Sequence, residues 1–151
     1  MAAWSLAAAC DLRVAADDAR FSIPEVDLGI PLAWGGIPRL VRELGPAITK
    51  ELVLTCRPFD AREAHALRFV NRVVPAADLS AVVDALASDL ATKSALTLET
   101  TKRQVETVID TAFPTAGAHA DADALLAALA DAESRAAGAA YLQRRAPRQQ
   151  A

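Results

Sequence analysis

The sequence predicts an α/β fold in which a few short strands precede a mostly helical remainder. Apolar segments at residues 12–15, 20–23 and 72–74 are short, contain β-branched or aromatic side chains and are bounded by turn-forming residues, as strands are. In the second half, apolar residues recur at the spacing of amphipathic helices. We therefore expect a core region of strands and helices at residues 1–77 and a helical region at residues 78–151.

The predicted strands are too few to make a sheet. Residues 12–15 and 20–23 flank a turn at Ala16–Asp18, and Pro24 ends the second strand because its nitrogen cannot donate to a ladder. Two or three short strands do not form a stable sheet alone, and their edges require pairing. We therefore expect the rest of the sheet to come from outside this chain.

The predicted helices have recognisable boundaries. Pro46 stands in a first helical turn, where proline is tolerated. Asp60 is followed three residues later by Glu63, the spacing of a capping box, and Asp78 is placed to cap another helix. The expected helices cover about residues 37–44, 46–55, 79–92, 96–109 and 121–145.

Composition excludes several classes of function. A net charge of −3 and a pI near 5.3 argue against general binding to nucleic acids. No apolar stretch is long and uncharged enough to span a bilayer, and the start lacks the pattern of a secretory signal. Cys10 and Cys56 form no CxxC pair and have no metal-ligand spacing. We therefore expect a cytoplasmic protein without a membrane, nucleic-acid or metal partner.

Several sequence blocks follow one another in a specific order. They are residues 10–21 (CDLRVAADDARF), 24–29 (PEVDLG), 35–36 (GG), 39–40 (RL), 51–55 (ELVLT), 60–64 (DAREA) and 70–75 (VNRVVP). In order and spacing, they resemble the enoyl-CoA hydratase/isomerase (crotonase) superfamily, and specifically the C-terminal half of its subunit. The helical remainder resembles the family in pattern more than in residue identity.

The resemblance implies a partial crotonase-like β-β-α spiral core, followed by C-terminal helices that build trimers or hexamers. It implies an acyl-CoA substrate, a place in fatty acid metabolism, and no cofactor beyond the coenzyme A of the substrate. In the family, two backbone N–H groups polarise the thioester carbonyl, and nearby carboxylates move protons. Preorganised amides suit this chemistry because they stabilise the negative charge that develops on an enolate-like oxygen.

The resemblance assigns three positions to the catalytic centre. Ala2 falls where the family has an oxyanion-hole amide, which any residue except proline supplies. Ser5 falls on the first glutamate of the family's hydratases, and a lone hydroxyl does not replace a carboxylate base near neutral pH. Glu25 falls on the second glutamate. A glutamate after a strand-ending proline is usually a solvated loop carboxylate, but the matched residues 22–29 favour the catalytic interpretation.

Two further assignments concern substrate binding. Leu32 and Trp34 correspond to the acyl-pocket wall, although core packing explains Trp34 equally well. Residues 141–145 (YLQRR) resemble the end of the family's last helix, which lies near bound CoA. There Arg144 or Arg145 would contact a phosphate, although a solvated cationic last turn explains these arginines at least as well.

A single glutamate at Glu25 without a partner at Ser5 resembles the family's double-bond isomerases, so the residues favour isomerase over hydratase activity. The family's N-terminal half carries the other oxyanion donor and has no counterpart here, so we expect the isolated chain to be impaired, or to need that half as a partner. The alternatives are a catalytically inactive subunit that binds acyl-CoA or modulates oligomers, and a non-functional gene remnant. Arg68 stands where relatives usually have a helix-ending glycine, which predicts backbone strain.

Overall fold

The strand-then-helix order of the sequence is the order of the fold. The computed structural model describes residues 3–114 and 120–145. The elements are α1 (Ala3–Ala8), β1 (Val14–Ala16), β2 (Arg20–Phe21), α2 (Gly36–Thr55), β3 (Phe59–Asp60), α3 (Ala61–Ala66), β4 (Arg72–Val74), α4 (Leu79–Ala91), α5 (Ala95–Ala112), α6 (Asp121–Ala130) and α7 (Ala132–Arg145). The predicted α/β class is confirmed.

The strands form two small sheets within the described residues. β1 and β4 run parallel, with Val14 opposite Arg72, and β2 and β3 run antiparallel, with Phe21 opposite Phe59. The Phe21 and Phe59 rings stack with their centroids 5.5 Å apart. β3 was not predicted, because its two residues are not part of a longer apolar segment such as the one that predicted β2.

The core lies in the first half of the chain. Its largest fully buried side chains are Ile23, Leu40, Leu52 and Phe69. Helices α4, α5, α6 and α7 contain no buried residue in the described part of the chain. Their apolar side chains therefore remain on the surface, including Leu96, Val108, Leu126 and Leu142. None of the helices in the described ranges is long and apolar enough to cross a membrane.

Two of the predicted helix boundaries are confirmed. The backbone of Gly45 leaves the helical region (φ 76°, ψ 164°) and breaks α2 just before Pro46, so two helical segments meet there as expected. The Asp60 carboxylate accepts a hydrogen bond of 2.8 Å from the Glu63 amide, which caps α3.

Two other predictions about helices are wrong. Asp78 does not cap α4 with its side chain, because a 3₁₀ turn over Ala76–Asp78 already gives it a nearly helical backbone, whereas a cap residue is extended. The single helix expected over residues 121–145 is broken at Asp131, whose backbone is extended. The Asp131 carboxylate accepts a hydrogen bond of 2.8 Å from the Ser134 amide and thereby starts α7.

The end of α3 shows the predicted backbone strain. Arg68 has a φ of 64°, in the left-handed region that favours glycine. Its amide donates to the His65 carbonyl, and the Phe69 amide donates to the Ala64 carbonyl, both at 2.9 Å. These two hydrogen bonds together form a Schellman motif, which requires a left-handed residue after the helix.

Arg13 connects α1 to the rest of the core. Its guanidinium donates hydrogen bonds to the carbonyls of Phe69 and Cys10 and pairs with Glu43 on α2. Its backbone amide donates to the Asn71 side chain at 2.7 Å. One side chain thus fixes the start of β1 against α2 and the segment before β4.

Candidate active site

Glu25 opens a tight turn after β2. Its carbonyl accepts hydrogen bonds from the amides of Leu28 at 3.1 Å and Ile30 at 3.0 Å. Gly29 has a φ of 70° and closes this turn at a backbone conformation that other residues adopt only with strain. The carboxylate is therefore carried by a backbone-bonded turn, within what we name the Glu25 loop (residues 24–35).

The Glu25 carboxylate is buried. The residue is 4% exposed, and its Oε2 atom has no hydrogen-bond partner among the described residues. Burial raises the pKa of Glu25 above its ordinary value of 4.5, an effect partly offset by a hydrogen bond from its own backbone amide. A carboxyl group with a raised pKa and a free oxygen is suited to taking and returning a proton near neutral pH.

The two residues assigned to the acyl pocket have different environments. Leu32 is 5% exposed, lies in the core and packs so closely on Gly36 that a Cβ there would lie 2.7 Å from its Cγ. Trp34 is 63% exposed, so it is not a core residue. Its φ is 56°, and its carbonyl accepts a hydrogen bond of 2.7 Å from Arg39. Trp34 thus projects outward on a strained turn.

For the remaining residues that the resemblance assigned to the site, the structure gives fewer contacts. Ala2 lies outside the described residues, and for Ser5 only its place in α1 is described. Arg144 and Arg145 form the exposed last turn of α7. The Arg145 guanidinium lies 5.3 Å from the Tyr141 ring centre, a cation–π distance.

The helical region contacts the Glu25 loop at two places that were not predicted from the sequence. The Asp121 carboxylate accepts a hydrogen bond of 2.8 Å from the Gly35 amide. On α7, Gly138 lies so close to the Leu28 carbonyl that a Cβ there would lie 2.6 Å from its oxygen. A glycine inside a helix was the available signal for close packing at Gly138, but spacing alone could not identify its partner.

Two cavities lie beside this region. One of about 690 Å³ lies beneath α5 and includes Leu12, Arg42 and Val105 in its lining, and another of about 510 Å³ includes Ile37 and Phe113. Glu25, Leu32 and Trp34 line neither of them. Within the described residues, no group of three or more His, Cys, Asp or Glu side chains could hold a metal ion.

A buried glutamate on this strand-end turn, within this fold, is what the sequence blocks led us to expect. The sequence also matches the family model described as "Enoyl-CoA hydratase/isomerase" over residues 2–150. The chain belongs to the enoyl-CoA hydratase/isomerase family. The resemblance stated from the sequence blocks is therefore confirmed across nearly the whole chain.

Individual relatives agree with this family. The chain is 35% identical over 142 residues to a probable enoyl-CoA hydratase of Mycobacterium tuberculosis, covering 94% of this chain and 55% of the relative. It is 34% identical over 144 residues to the crotonyl-CoA hydratase of Syntrophomonas wolfei, covering 93% of this chain and 54% of that protein. The chain thus spans about half the length of these relatives.

Solved structures give the same result for the fold. An enoyl-CoA hydratase/isomerase from Pseudoalteromonas atlantica superposes with a TM-score of 0.84 at 26% identity, covering 97% of this chain and 59% of that one. A carnitinyl-CoA hydratase from Mycobacterium avium superposes with a TM-score of 0.81 at 28% identity, covering 94% of this chain and 55% of that one. The partial crotonase fold predicted from the sequence is confirmed.

Proposed function

We propose that this chain contributes the proton-transferring carboxylate of an acyl-CoA isomerase site, and that Glu25 is that carboxylate. The observation that carries the proposal is the burial of Glu25, whose Oε2 atom has no hydrogen-bond partner in the part of the chain that the structure describes. An ionisable group rarely stays buried and unpaired unless function requires it, because its desolvation costs stability. The relatives act on acyl-CoA thioesters by their printed names, which gives the substrate class.

Migration of the double bond requires only one base, Glu25. Glu25 takes a proton from C2 of a 3-enoyl-CoA, and the electron pair delocalises over C3, C4 and the thioester carbonyl as a dienolate. Glu25 then returns the proton at C4, which leaves the double bond between C2 and C3. The negative charge on the thioester oxygen needs amide donors, and Ala2 is the donor that we assign to this chain.

Ser5 is the reason to favour isomerisation over hydration. Adding water across a double bond benefits from two acid–base groups, one for the water and one for the carbon that receives a proton. Returning one proton to another carbon of the same substrate needs only Glu25. Ser5 has no carboxylate to serve as a second group.

The substrate-binding assignments fit this site as proposals. Leu32 lies in the core and would form the inner wall of the acyl pocket, whereas the exposed Trp34 would form the outer wall. Arg144 and Arg145 lie at the exposed end of α7, where their charges are available to a CoA phosphate.

We further propose that the helical region is completed by other polypeptide, either further copies in a trimer or hexamer or the part of the family fold that this chain does not match. Helices α4–α7 bury no residue within the described ranges, although they carry exposed side chains such as Leu96 and Val108. Exposed apolar residues at this density mark association surfaces.

A second candidate is a catalytically inactive subunit that binds acyl-CoA or modulates oligomers. The observation in its favour is that Glu25 lines neither of the two cavities described above. Under this candidate, Glu25 remains buried in the assembled protein and reaches no substrate.

The test is to fuse this chain to the preceding part of the Syntrophomonas wolfei relative and to assay both reactions. Isomerisation of a 3-enoyl-CoA without hydration of crotonyl-CoA supports the proposal. Ser5→Glu is the matched variant, and we expect it to add hydration without abolishing isomerisation. Hydration by the unmodified fusion protein contradicts the assignment to Ser5. A folded fusion protein that binds acyl-CoA but catalyses neither reaction supports the inactive subunit.

A further inference from the structure

The Glu25 loop ends in a strained turn. Trp34 and Gly35 have consecutive positive φ values of 56° and 67°. For Trp34, which has a Cβ, this left-handed conformation is strained. Strain of this kind persists only where the surrounding structure enforces it. Some contact must therefore hold this turn in place.

Arg39 of α2 contacts the turn by donating to the Trp34 and Gly35 carbonyls, and Asp121 supplies a second contact from the helical region. The Asp121 Oδ2 atom accepts the Gly35 amide at 2.8 Å, across 86 residues of sequence. A hydrogen bond from an amide to a charged carboxylate is among the stronger kinds in proteins. The first residue of α6 therefore fixes the end of the Glu25 loop, next to the exposed Trp34.

α7 packs closely against the backbone of the turn that follows Glu25, inside the loop. A Cβ on Gly138 would lie 2.6 Å from the Leu28 oxygen, and a Cβ on Gly29 would lie 1.9 Å from the Ser134 oxygen. Glycine at both positions is what allows the helix and the turn to approach so closely. The Leu28 amide donates a hydrogen bond to the Glu25 carbonyl, so the packing of Gly138 on Leu28 restrains the turn that carries the Glu25 carboxylate.

We propose that Asp121 and Gly138 are positioning residues that clamp the Glu25 loop at two places, Gly35 and the turn at Leu28, and keep the Glu25 carboxylate buried. The inference rests on the proposed function only for its catalytic meaning, since the clamp itself is a property of this chain. The helical region then does more than associate with other copies. It sets the geometry of the loop and, through it, the ionisation of Glu25.

The experiment measures the stability of the Glu25 loop and the pKa of Glu25, and it needs no activity assay. Amide hydrogen exchange and the pKa of Glu25, obtained from carboxyl carbon NMR shifts, are recorded for the full chain and its variants. Asp121→Ala should speed exchange of the Gly35 amide about tenfold, as expected for the loss of one tertiary hydrogen bond. It should also lower the Glu25 pKa toward 4.5 as the carboxylate gains solvent. Asp121→Asn keeps an accepting oxygen and should restore both values.

Gly138→Ala tests the second contact of the clamp independently of Asp121. Helix propensity alone predicts that it stabilises α7, whereas the clamp predicts that the added methyl displaces Leu28 and lowers the Glu25 pKa. Ala139→Ser, at an exposed position of the same helix, is the control and should leave that pKa unchanged. Amides of Leu52 and Val53 in the core should exchange as in the parent chain.

Unchanged exchange and an unchanged Glu25 pKa in both Asp121→Ala and Gly138→Ala would overturn the clamp, whatever the fusion protein catalyses. The predicted changes in a chain whose fusion protein catalyses nothing would support the clamp and contradict the proposed function. The two proposals therefore fail separately.

Discussion

The Arg13 guanidinium lies over the Phe69 ring, 4.6 Å from its centre. The same group donates to the Phe69 carbonyl and pairs with Glu43, while its side chain is only 11% exposed. Phe69 is among the most buried residues of the core. The contact therefore fixes Arg13, the residue before β1, to the core.

Arg13→Ala should destabilise the chain by about 3 kcal/mol, because it removes several hydrogen bonds and leaves Glu43 without its partner. Urea unfolding followed by circular dichroism measures the change. Arg103→Ala is the matched control, because the pair of Arg103 with Glu99 is exposed on both sides. It should cost less than about 0.5 kcal/mol. Equal losses in the two variants would contradict the role of Arg13.

Arg68→Gly should stabilise the chain by about 0.5–1 kcal/mol, since glycine adopts the left-handed conformation of this helix end without strain. The Arg68 side chain is exposed, so little contact is lost. Thermal unfolding should show a rise of about 1–4 °C for a domain of this size. Arg68→Ala keeps the Cβ and should show no rise. A lower melting temperature for the glycine variant would count against strain at this position.

Glu25→Gln should stabilise the fold at pH 8 but not at pH 4. The pKa of Glu25 in the folded chain is raised above its ordinary 4.5 by burial, so folding favours the protonated carboxyl. Its stabilising contribution is present in full below the ordinary pKa and is lost as pH rises through the folded pKa. Glutamine is uncharged at every pH and avoids that loss.

The free energy of unfolding of the parent chain and of Glu25→Gln, measured in urea between pH 4 and pH 8, checks this prediction. Asp27→Asn, at an exposed carboxylate of the same loop, should show a much smaller difference between the two pH values. A Glu25→Gln variant that is less stable than the parent chain at pH 8 would show that the charged carboxylate is favourably solvated or paired.

The amides of helix α5 should lose protection from hydrogen exchange in high salt. It is joined to the core by ion pairs of Lys102 with Asp11 at 2.6 Å and of Arg42 with Asp110 at 3.1 Å, above the larger cavity. Both Lys102 and Asp11 are about half exposed, so their attraction is screened when the Debye length falls to about 3 Å in 1 M salt.

Hydrogen exchange of α5 amides with and without 1 M NaCl measures this effect. At low salt, α5 amides of Lys102→Gln should exchange faster than those of the parent chain, and their exchange should respond less to added salt, because only the Arg42–Asp110 pair remains. Protection that does not change with salt would mean that apolar packing, rather than charge, holds α5.

The sequence predicted the features that depend on local rules. Asp60 and Glu63 form their cap because the interaction needs only a spacing of three residues. The strain at Arg68 followed in the same way, from a helix end that lacks its glycine. Glu25 is buried, so it is not the solvated loop carboxylate that a glutamate after a strand-ending proline usually is, and its catalytic role stays a prediction.

Features that depend on long-range contacts were not predicted. The bond from Asp121 to Gly35 joins residues 86 positions apart, and neither residue type indicates the other. Asp78 failed as a cap because a preceding 3₁₀ turn set its backbone, which the identity of the residue does not reveal. The helix break at Asp131 had a capping residue in its favour, but the continuous alanine pattern concealed it.

The proposal that Glu25 shuttles a substrate proton is tested most directly by following a label. The fusion protein described above is given a 3-enoyl-CoA that carries deuterium at C2, and the product is analysed for deuterium at C4. We expect the parent fusion protein to transfer part of the label from C2 to C4. Ser5→Ala should do the same, and Glu25→Gln should lose both the transfer and at least about 10²-fold in rate. A Glu25→Gln variant that isomerises the substrate and transfers the label at the parental rate would contradict the assignment.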